Sequence, residues 1–514
     1  MNASSPKLRV GRRLALGSSF NSAYFIATAA ASFLITPFLV RRLGDHRYGL
    51  WTLVVVFTES YHVLELGLSS AVGRFMAGAL GGGDRERSNL VFNTSLIIFG
   101  SGGVLALMVS LLAAALTPVI VHNAQDASVF REAVLILGLN VALNFPLRVY
   151  RATLQAHLRF VAVVCIDLTY LVLRSFLAVG FVLMGYRVVG LATATLVALI
   201  PSLFLYPYFL LRDLPFLRLS ASQWQPALAK NLFSYGLYTF LGYVGGFLRS
   251  KSNPFIVSSF LGITLVTHFR LAGMASGYYG ELVAALIGVF QPLLSQQQGT
   301  GNLGAMRQTT LFATKIAICI SGFFGFGAIA FGKVFLARWV GQAYLDAYPC
   351  MVLLVLSQAL QLSQRPSTYA IFAVARHQFF GVLLVMEGVA NVLLSLLLVR
   401  HWGLTGVGWG VFIPIAISKL VVQPIYACRV TGLDYPEYIR TLAAVSVKVL
   451  LCLVIPGLII FHLARPDYKS MLLLAVMSLI LYGVPVVATV LNRSESQLLR
   501  RNILPSWAPG GGTD

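Results

Sequence analysis

Eight cations fall inside runs of residues that are otherwise apolar: Arg174, Arg249, Lys251, Arg270, Lys315, Arg365, Lys419 and Lys448. A charge held in hydrocarbon costs about 3 kcal/mol on insertion scales and is tolerated where it faces a bundle interior or a watery cavity. Arg249 and Lys251 sit in the segment Phe-Leu-Arg-Ser-Lys-Ser-Asn-Pro. Two positions apart, they point to opposite sides of a regular helix and share a cavity only if the helix is kinked or unwound, which Pro254 and the Gly245-Gly246 pair permit. Arg270 and Glu281 lie about three turns apart on one face. Cations in a wet chamber suit phosphate oxygens and acidic sugars, and arginine can grip them bidentately. Arg249, Lys251, Arg270 and Arg174 are therefore candidates for binding an anionic ligand. The competing expectation is that Arg249 pairs with a carboxylate such as Glu59 or Glu281 and only holds helices together.

A second set could take up a proton or a cation. Glu59, His62 and Glu65 recur at steps of three and stay within about 120° of one helical face, so carboxylates flank an imidazole. The plainer alternative leaves Glu65 solvated and His62 bonded to a backbone carbonyl. Glu281 and Asp167 complete this set of possible coupling residues. Asp167 and Arg174 share a face but rise about 10 Å apart, so each is expected to meet a partner on another helix. Arg365, Glu387, Lys419 and Lys448 fall at similar depths in their runs and are expected to form an ion-pair network within a bundle. Lys315, nearer a helix end, is expected to snorkel. The five cysteines have no ligand spacing, and no metal-ligand cluster or nucleotide-phosphate loop is present, so neither metal nor cofactor is expected.

The elements that position these groups are membrane helices. The chain is 58% hydrophobic and 11% charged, whereas soluble domains carry about 25% charged residues. Apolar runs of about 20 residues, each enough to cross the hydrocarbon layer, recur fourteen times from Ala15–Val40 to Ser470–Leu491. The first run is too long for a signal peptide and is taken as a retained helix. A net charge of +21 would suit nucleic acid, but the cations stand in ones to threes at the ends of runs, which is the pattern of orientation signals. With both termini in the cytoplasm, the cytoplasmic connections, among them the one holding Arg148, Arg151 and Arg159 after the run that ends at Leu147, carry twice the cations of the opposite ones.

The longest central connection, residues 212–230, is polar, holds Pro215 and Pro226, and reads as a hinge. It separates an N-terminal bundle (1–211, six spans) from a C-terminal bundle (231–428, six spans), followed by two additional helices (429–491) and a cytoplasmic tail (492–514). Each bundle opens with a long helix ending in a Leu-Gly turn, at Leu43-Gly44 and at Leu261-Gly262, consistent with a repeat about the membrane normal. The fold class is thus an all-α polytopic membrane protein.

The stretch from Arg41 to Trp51, Arg-Arg-Leu-Gly-Asp-His-Arg-Tyr-Gly-Leu-Trp, followed by Glu65-Leu66-Gly67-Leu68, resembles the signatures of the polysaccharide-biosynthesis (O-antigen and exopolysaccharide) flippases of the multidrug/oligosaccharidyl-lipid/polysaccharide exporter superfamily. Phe260 to Thr264, Arg270-Leu271-Ala272 and Trp339-Val340-Gly341 resemble the second half of the same family. Glu65 departs from the aspartate expected there, keeping the charge on a longer arm. The resemblance implies two pseudo-symmetric bundles around a central cavity that opens alternately to each leaflet. It also implies an undecaprenyl-diphosphate-linked oligosaccharide as substrate, carried across a cell inner membrane for surface polysaccharide assembly. Expected partners are that glycolipid, membrane lipids, and the polysaccharide polymerase and chain-length proteins. Three alternatives remain: a lipid-linked peptidoglycan precursor as cargo, multidrug or cation antiport, and a membrane-embedded glycan-processing enzyme. The mid-membrane excess of positive charge argues against cation efflux, and short outer connections without paired carboxylates argue against an enzyme.

Overall fold

The computed structural model describes residues 6–120, 123–374, 378–463 and 467–490, with side chains described at all of these except 6–19, 21, 22, 118–120, 237–239 and 378. The expected tail at 492–514 lies outside them. The described residues form nineteen α-helices joined by short turns, with no strand among them. They divide into two compact units, 1–270 with 380–389, and 271–379 with 390–514. The first contains α1 (Pro6–Leu43), α2 (Asp45–Glu59), α3 (Leu68–Gly81), α4 (Arg85–Ile120), α5 (Ala124–Ala156), α6 (Phe160–Leu183), α7 (Arg187–Asp213), α8 (Pro226–Ser250) and α9 (Asn253–Leu261). It also takes in the opening turns of α10 (Ile263–Ile287) and a short stretch of α16 (Gln378–Ile417). The second holds the rest of those two helices and α11 (Phe290–Gly299), α12 (Leu303–Ala330), α13 (Gly332–Trp339), α14 (Tyr348–Ser363), α15 (Arg365–Ala373), α17 (Gln423–Thr431), α18 (Tyr435–Leu463) and α19 (Tyr468–Val490).

Eleven helical segments are long and apolar enough to cross a membrane, or twelve if the bent pair α2–α3 is one span. That count, against fourteen expected, is taken over the described side chains alone. One of the eleven, Phe379–Thr431, contains two of the expected spans. At Gly403 the backbone takes φ +54°, ψ −134° and the helix doubles back. Gly406 then lies against the Leu398 carbonyl and Gly410 against Ser395, so close that a Cβ at either would collide. Apolar burial gives helices no drive to associate inside hydrocarbon, and such close backbone approach supplies packing energy instead.

Both Leu-Gly turns form, with Gly44 at φ +76° and Gly262 at φ +91°, but the second ends the nine-residue α9 rather than a long helix. Within the first unit these turns meet. Gly49 has no room for a Cβ against the Ile263 carbonyl, and the Thr267 hydroxyl donates to the Asp45 carbonyl at 2.5 Å. A core of Met76, Phe92, Phe145, Leu154, Ile166 and Leu210 joins α3 to α7.

The connection at 212–230 is not a free hinge. Two asparagines one turn apart on α4 bind its backbone as a neighbouring strand would. Asn89 donates to the Phe216 carbonyl (3.1 Å) and accepts from the Arg218 N–H (2.8 Å). Asn93 donates to the Arg218 carbonyl (2.8 Å) and the Gln223 side chain (2.6 Å), and accepts from the Ser220 N–H (2.9 Å). Leu214 and Leu217 are buried beside them. The segment is held to α4 mainly through its backbone, while its polar side chains Arg212, Arg218, Ser222 and Gln225 are exposed.

In the second unit, α18 and α19 dock on α12. Val449 sits over Gly322, and the Tyr482 hydroxyl donates to the Cys319 carbonyl at 2.8 Å. Where α14 gives way to α15, buried Gln364, Ser367, Gln423 and Tyr438 bind one another.

Replacing Asn93, itself buried, with Ala removes three hydrogen bonds to the strap, and each buried group left unpaired costs about 1–3 kcal/mol. The variant is expected to have a lower unfolding temperature in detergent and faster proteolysis between Arg212 and Gln225. Unchanged cleavage there would show that the strap does not depend on Asn93.

Candidate functional site

The site is built around a break in a helix. After Glu59 the chain tightens into a 3₁₀ turn, Ser60–Glu65. Leu66 and Gly67 then adopt left-handed backbone at φ +51° and +71°, and α3 leaves at 45° to the preceding axis. A left-handed leucine costs roughly 1–2 kcal/mol. It is held in place by Gly236 of α8, whose missing side chain lets the Leu66 carbonyl seat against the helix. In a 3₁₀ turn residues three apart eclipse, so His62 Nδ1 and Glu65 Oε2 stand 3.7 Å apart.

Glu65 is buried, and its carboxylate accepts from Arg148 of α5. The same guanidinium reaches His62 Nδ1 at 3.0 Å. Arginine only donates, so in this contact Nδ1 of His62 is the acceptor. One turn along α5, Arg151 pairs with Asp167 of α6 at 2.8 Å, and the Tyr206 hydroxyl of α7 donates to the other oxygen of Asp167 at 2.8 Å. The two arginine–carboxylate pairs border a cavity of about 630 Å³. Its walls also include Ser69 at the start of α3, Asn144 and Gln155 of α5, and Tyr24, Tyr170 and Tyr243. A chamber with two guanidiniums, each already holding a carboxylate, can bind an anion by exchange and leave a carboxylate free.

The cations expected to bind an anion lie differently. The helix is broken where Arg249 and Lys251 require it, with α8 ending at Ser250 and α9 starting at Asn253. The two go to separate carboxylates. Arg249 donates to Glu387 at 3.1 Å, and Lys251 to Glu59 at 2.6 Å. The first pair forms because α8 and α16 cross at two glycines: a Cβ at Gly388 would lie 2.8 Å from the Gly245 carbonyl. Glu387 is 1% exposed and Arg249 23% exposed, so this pair is largely sealed in protein. Glu59 is thereby drawn away from His62 and Glu65. Arg270 and Glu281 are exposed, and Arg174 is half-buried two turns beyond Asp167, outside the cavity lining.

Arg365, Glu387, Lys419 and Lys448, expected to form an ion-pair network, each have a described setting. Glu387 is taken by Arg249, Arg365 donates to the Tyr369 hydroxyl at 3.0 Å, and Lys448 donates to the Thr489 carbonyl at 2.7 Å. Lys419 is buried in a π-helical turn, Ser418–Val422.

From the sequence Arg148 and Arg151 fall in a cytoplasmic connection, because three arginines follow the apolar run that ends at Leu147. Instead α5 continues unbroken to Ala156, through Pro146. A signal was present: Asn144, Arg148, Arg151 and Gln155 recur at steps of four, three and four, the stripe of one helical face.

The family model described as polysaccharide biosynthesis protein matches residues 38–349 of the chain. The chain belongs to the polysaccharide biosynthesis protein family. This is the family expected from the Arg41–Trp51 segment. The chain is similar to EpsK, an uncharacterised membrane protein of Bacillus subtilis (strain 168), at 21% identity over 95% of this chain and 97% of that one. Among solved structures it resembles an inward-facing multidrug resistance MATE family transporter of the MOP superfamily, with TM-score 0.69 and 17% identity over 79% of this chain and 94% of that chain. It also resembles the lipid II flippase MurJ in an inward closed conformation, with TM-score 0.69 and 11% identity over 95% and 100%. At these identities the solved structures establish a shared fold. In this family member the signature Glu65-Leu66-Gly67-Leu68 is the helix break itself, and its acidic residue holds Arg148.

Glu65→Ala leaves Arg148 largely buried without its carboxylate and is expected to lower stability, whereas Glu65→Ala/Arg148→Ala recovers part of the loss. The coupling expected in a thermal-unfolding double-mutant cycle is about 1–3 kcal/mol. Additive effects would show that the pair does not interact in the folded protein.

Proposed function

We propose that this protein is a flippase that carries a lipid-linked oligosaccharide repeat unit across the cell inner membrane by alternating access, for assembly of a surface polysaccharide. The carrier lipid in this proposal is undecaprenyl diphosphate. Both termini are cytoplasmic, and the polysaccharide polymerase and chain-length proteins work beside it. The protein moves its substrate without making or breaking a covalent bond in it.

One observation carries the proposal: two guanidiniums one turn apart on α5 face a polar cavity at a broken helix, beside the start of α3. A diphosphate carries more charge than a carboxylate and offers several oxygens to a planar fork. On its arrival Arg148 exchanges Glu65 for phosphate, and Arg151 exchanges Asp167. The N-terminus of a half-helix adds a favourable dipole for an anion. The tyrosines of the wall present apolar faces and hydroxyls that suit a sugar. The freed carboxylates take up protons, so binding of the headgroup is linked to proton uptake. Membership of a polysaccharide biosynthesis family supports a glycan as cargo. A lipid-linked peptidoglycan precursor shares the diphosphate and would engage the same groups. A drug cation would find both carboxylates already occupied by arginines.

Each hydrogen bond to a charged group contributes about 1.5–3 kcal/mol, so a polyprenyl diphosphate should bind at least about tenfold more tightly than the corresponding polyprenol. In Arg148→Ala/Arg151→Ala that preference is expected to vanish, and surface polysaccharide should be lost while the protein remains inserted. A preference unchanged in the double variant would reject the site. Normal surface polymer would reject its role in transport.

A further inference from the structure

A second cavity, of about 570 Å³, lies within the second unit and shares no residue with the site above. Lys333 of α13 stands at it, with Tyr348, Val352 and Leu353 of α14 and Thr405 and Trp409 of α16 among its walls. These residues lie near helix ends. The α12 helix stops at Ala330 and α14 begins at Tyr348, while Thr405 follows the reversal at Gly403 by two residues. The ends of neighbouring spanning helices mark the level where hydrocarbon meets headgroups. Other side chains of the second unit agree with that level. Arg338 lies over the ring of Tyr468 at the start of α19, 5.5 Å from its centre, and Trp402 is exposed beside the reversal. Cations mixed with amphipathic aromatic rings are the usual dress of a membrane interface.

The walls are mainly apolar and no carboxylate lines them. The Lys333 ammonium sits 5.2 Å from the centre of the Tyr348 ring, and among the described residues it makes no ion pair. Tyr348 is fixed by its hydroxyl, which donates to the Ile329 carbonyl at 3.0 Å. A lysine held by a ring face rather than by an acid keeps its charge available. An apolar pocket at headgroup depth with a single open cation selects an amphiphile bearing one negative charge, and a compact ammonium suits a lone phosphodiester better than a broad diphosphate.

We propose that this cavity binds an anionic phospholipid, with its phosphodiester on Lys333 and its glycerol and first acyl carbons against Val352, Leu353 and Trp409. By the charge-derived orientation it belongs to the leaflet away from the cytoplasm. The site is independent of the transported substrate.

The test uses the full-length protein in nanodiscs containing phosphatidylglycerol or phosphatidylcholine with acyl chains brominated near the headgroup. Quenching of Trp409 is read as the difference between the protein and its Trp409→Phe variant. One lysine at a lipid surface is worth about fivefold in preference for an anionic headgroup. Brominated phosphatidylglycerol mixed at low fraction is therefore expected to quench Trp409 more than brominated phosphatidylcholine does. The difference should disappear in Lys333→Gln, measured against its own Trp409→Phe pair, and persist in Lys333→Arg. Equal quenching by both lipids in the unaltered protein would overturn the proposal, as would a phosphatidylglycerol preference that survives Lys333→Gln.

Discussion

A guanidinium or carboxylate inside a bilayer has to find an opposite charge or water, and a straight helix rarely offers either at the required place. Arg151 and Asp167 meet across the unbroken α5 and α6, but at three other meetings a helix of this family member is interrupted. Glu65 ends a 3₁₀ turn before a left-handed leucine and reaches Arg148. Lys251 stands in the gap between α8 and α9 and reaches Glu59, the last residue of α2. Arg249, just before the gap, reaches Glu387 because two glycines let the helices touch. Removing one partner from a buried pair costs more than the pair ever contributes. The breaks and the charges are therefore a single constraint, and the tolerance of each depends on the other.

The pairs divide by their surroundings. Arg249 and Glu387 are largely enclosed, and their exchange for a ligand would expose an uncompensated charge. Arg148 and Arg151 face open volume, where an incoming anion can replace one acid while water reaches the other. Equal chemistry thus serves stability in one place and availability in the other, and access to a cavity decides between them. Glu65 and Asp167 hold the arginines in position while no ligand is present, which spares the cavity the cost of two bare cations.

Much of the fold was legible in the sequence because hydrocarbon imposes length and apolarity on every crossing. The two Leu-Gly turns were visible as glycines that a left-handed turn requires, and both formed. Asp167 was expected to meet a partner on another helix, and it meets Arg151 and Tyr206. The misjudged residues share a cause. Arg148 and Arg151 look like orientation signals because arginine also marks the cytoplasmic end of a span, and composition does not separate a loop from the last turns of a helix. Their stripe with Asn144 and Gln155 does separate them. The strap at 212–230 reads as a hinge from its prolines and polar residues, but the bonds that hold it to Asn89 and Asn93 are made by its backbone, which the sequence does not display.

The central claim is that an anionic lipid headgroup docks at the Arg148–Arg151 face of the first unit. Its most direct measurement is photo-crosslinking in living cells, with a photoreactive amino acid placed at Asn144 beside these arginines or, separately, at exposed Arg270. Position 144 is expected to capture the glycolipid and to stop doing so when Arg148 and Arg151 are replaced by alanine. Capture at 270 with none at 144 would contradict it.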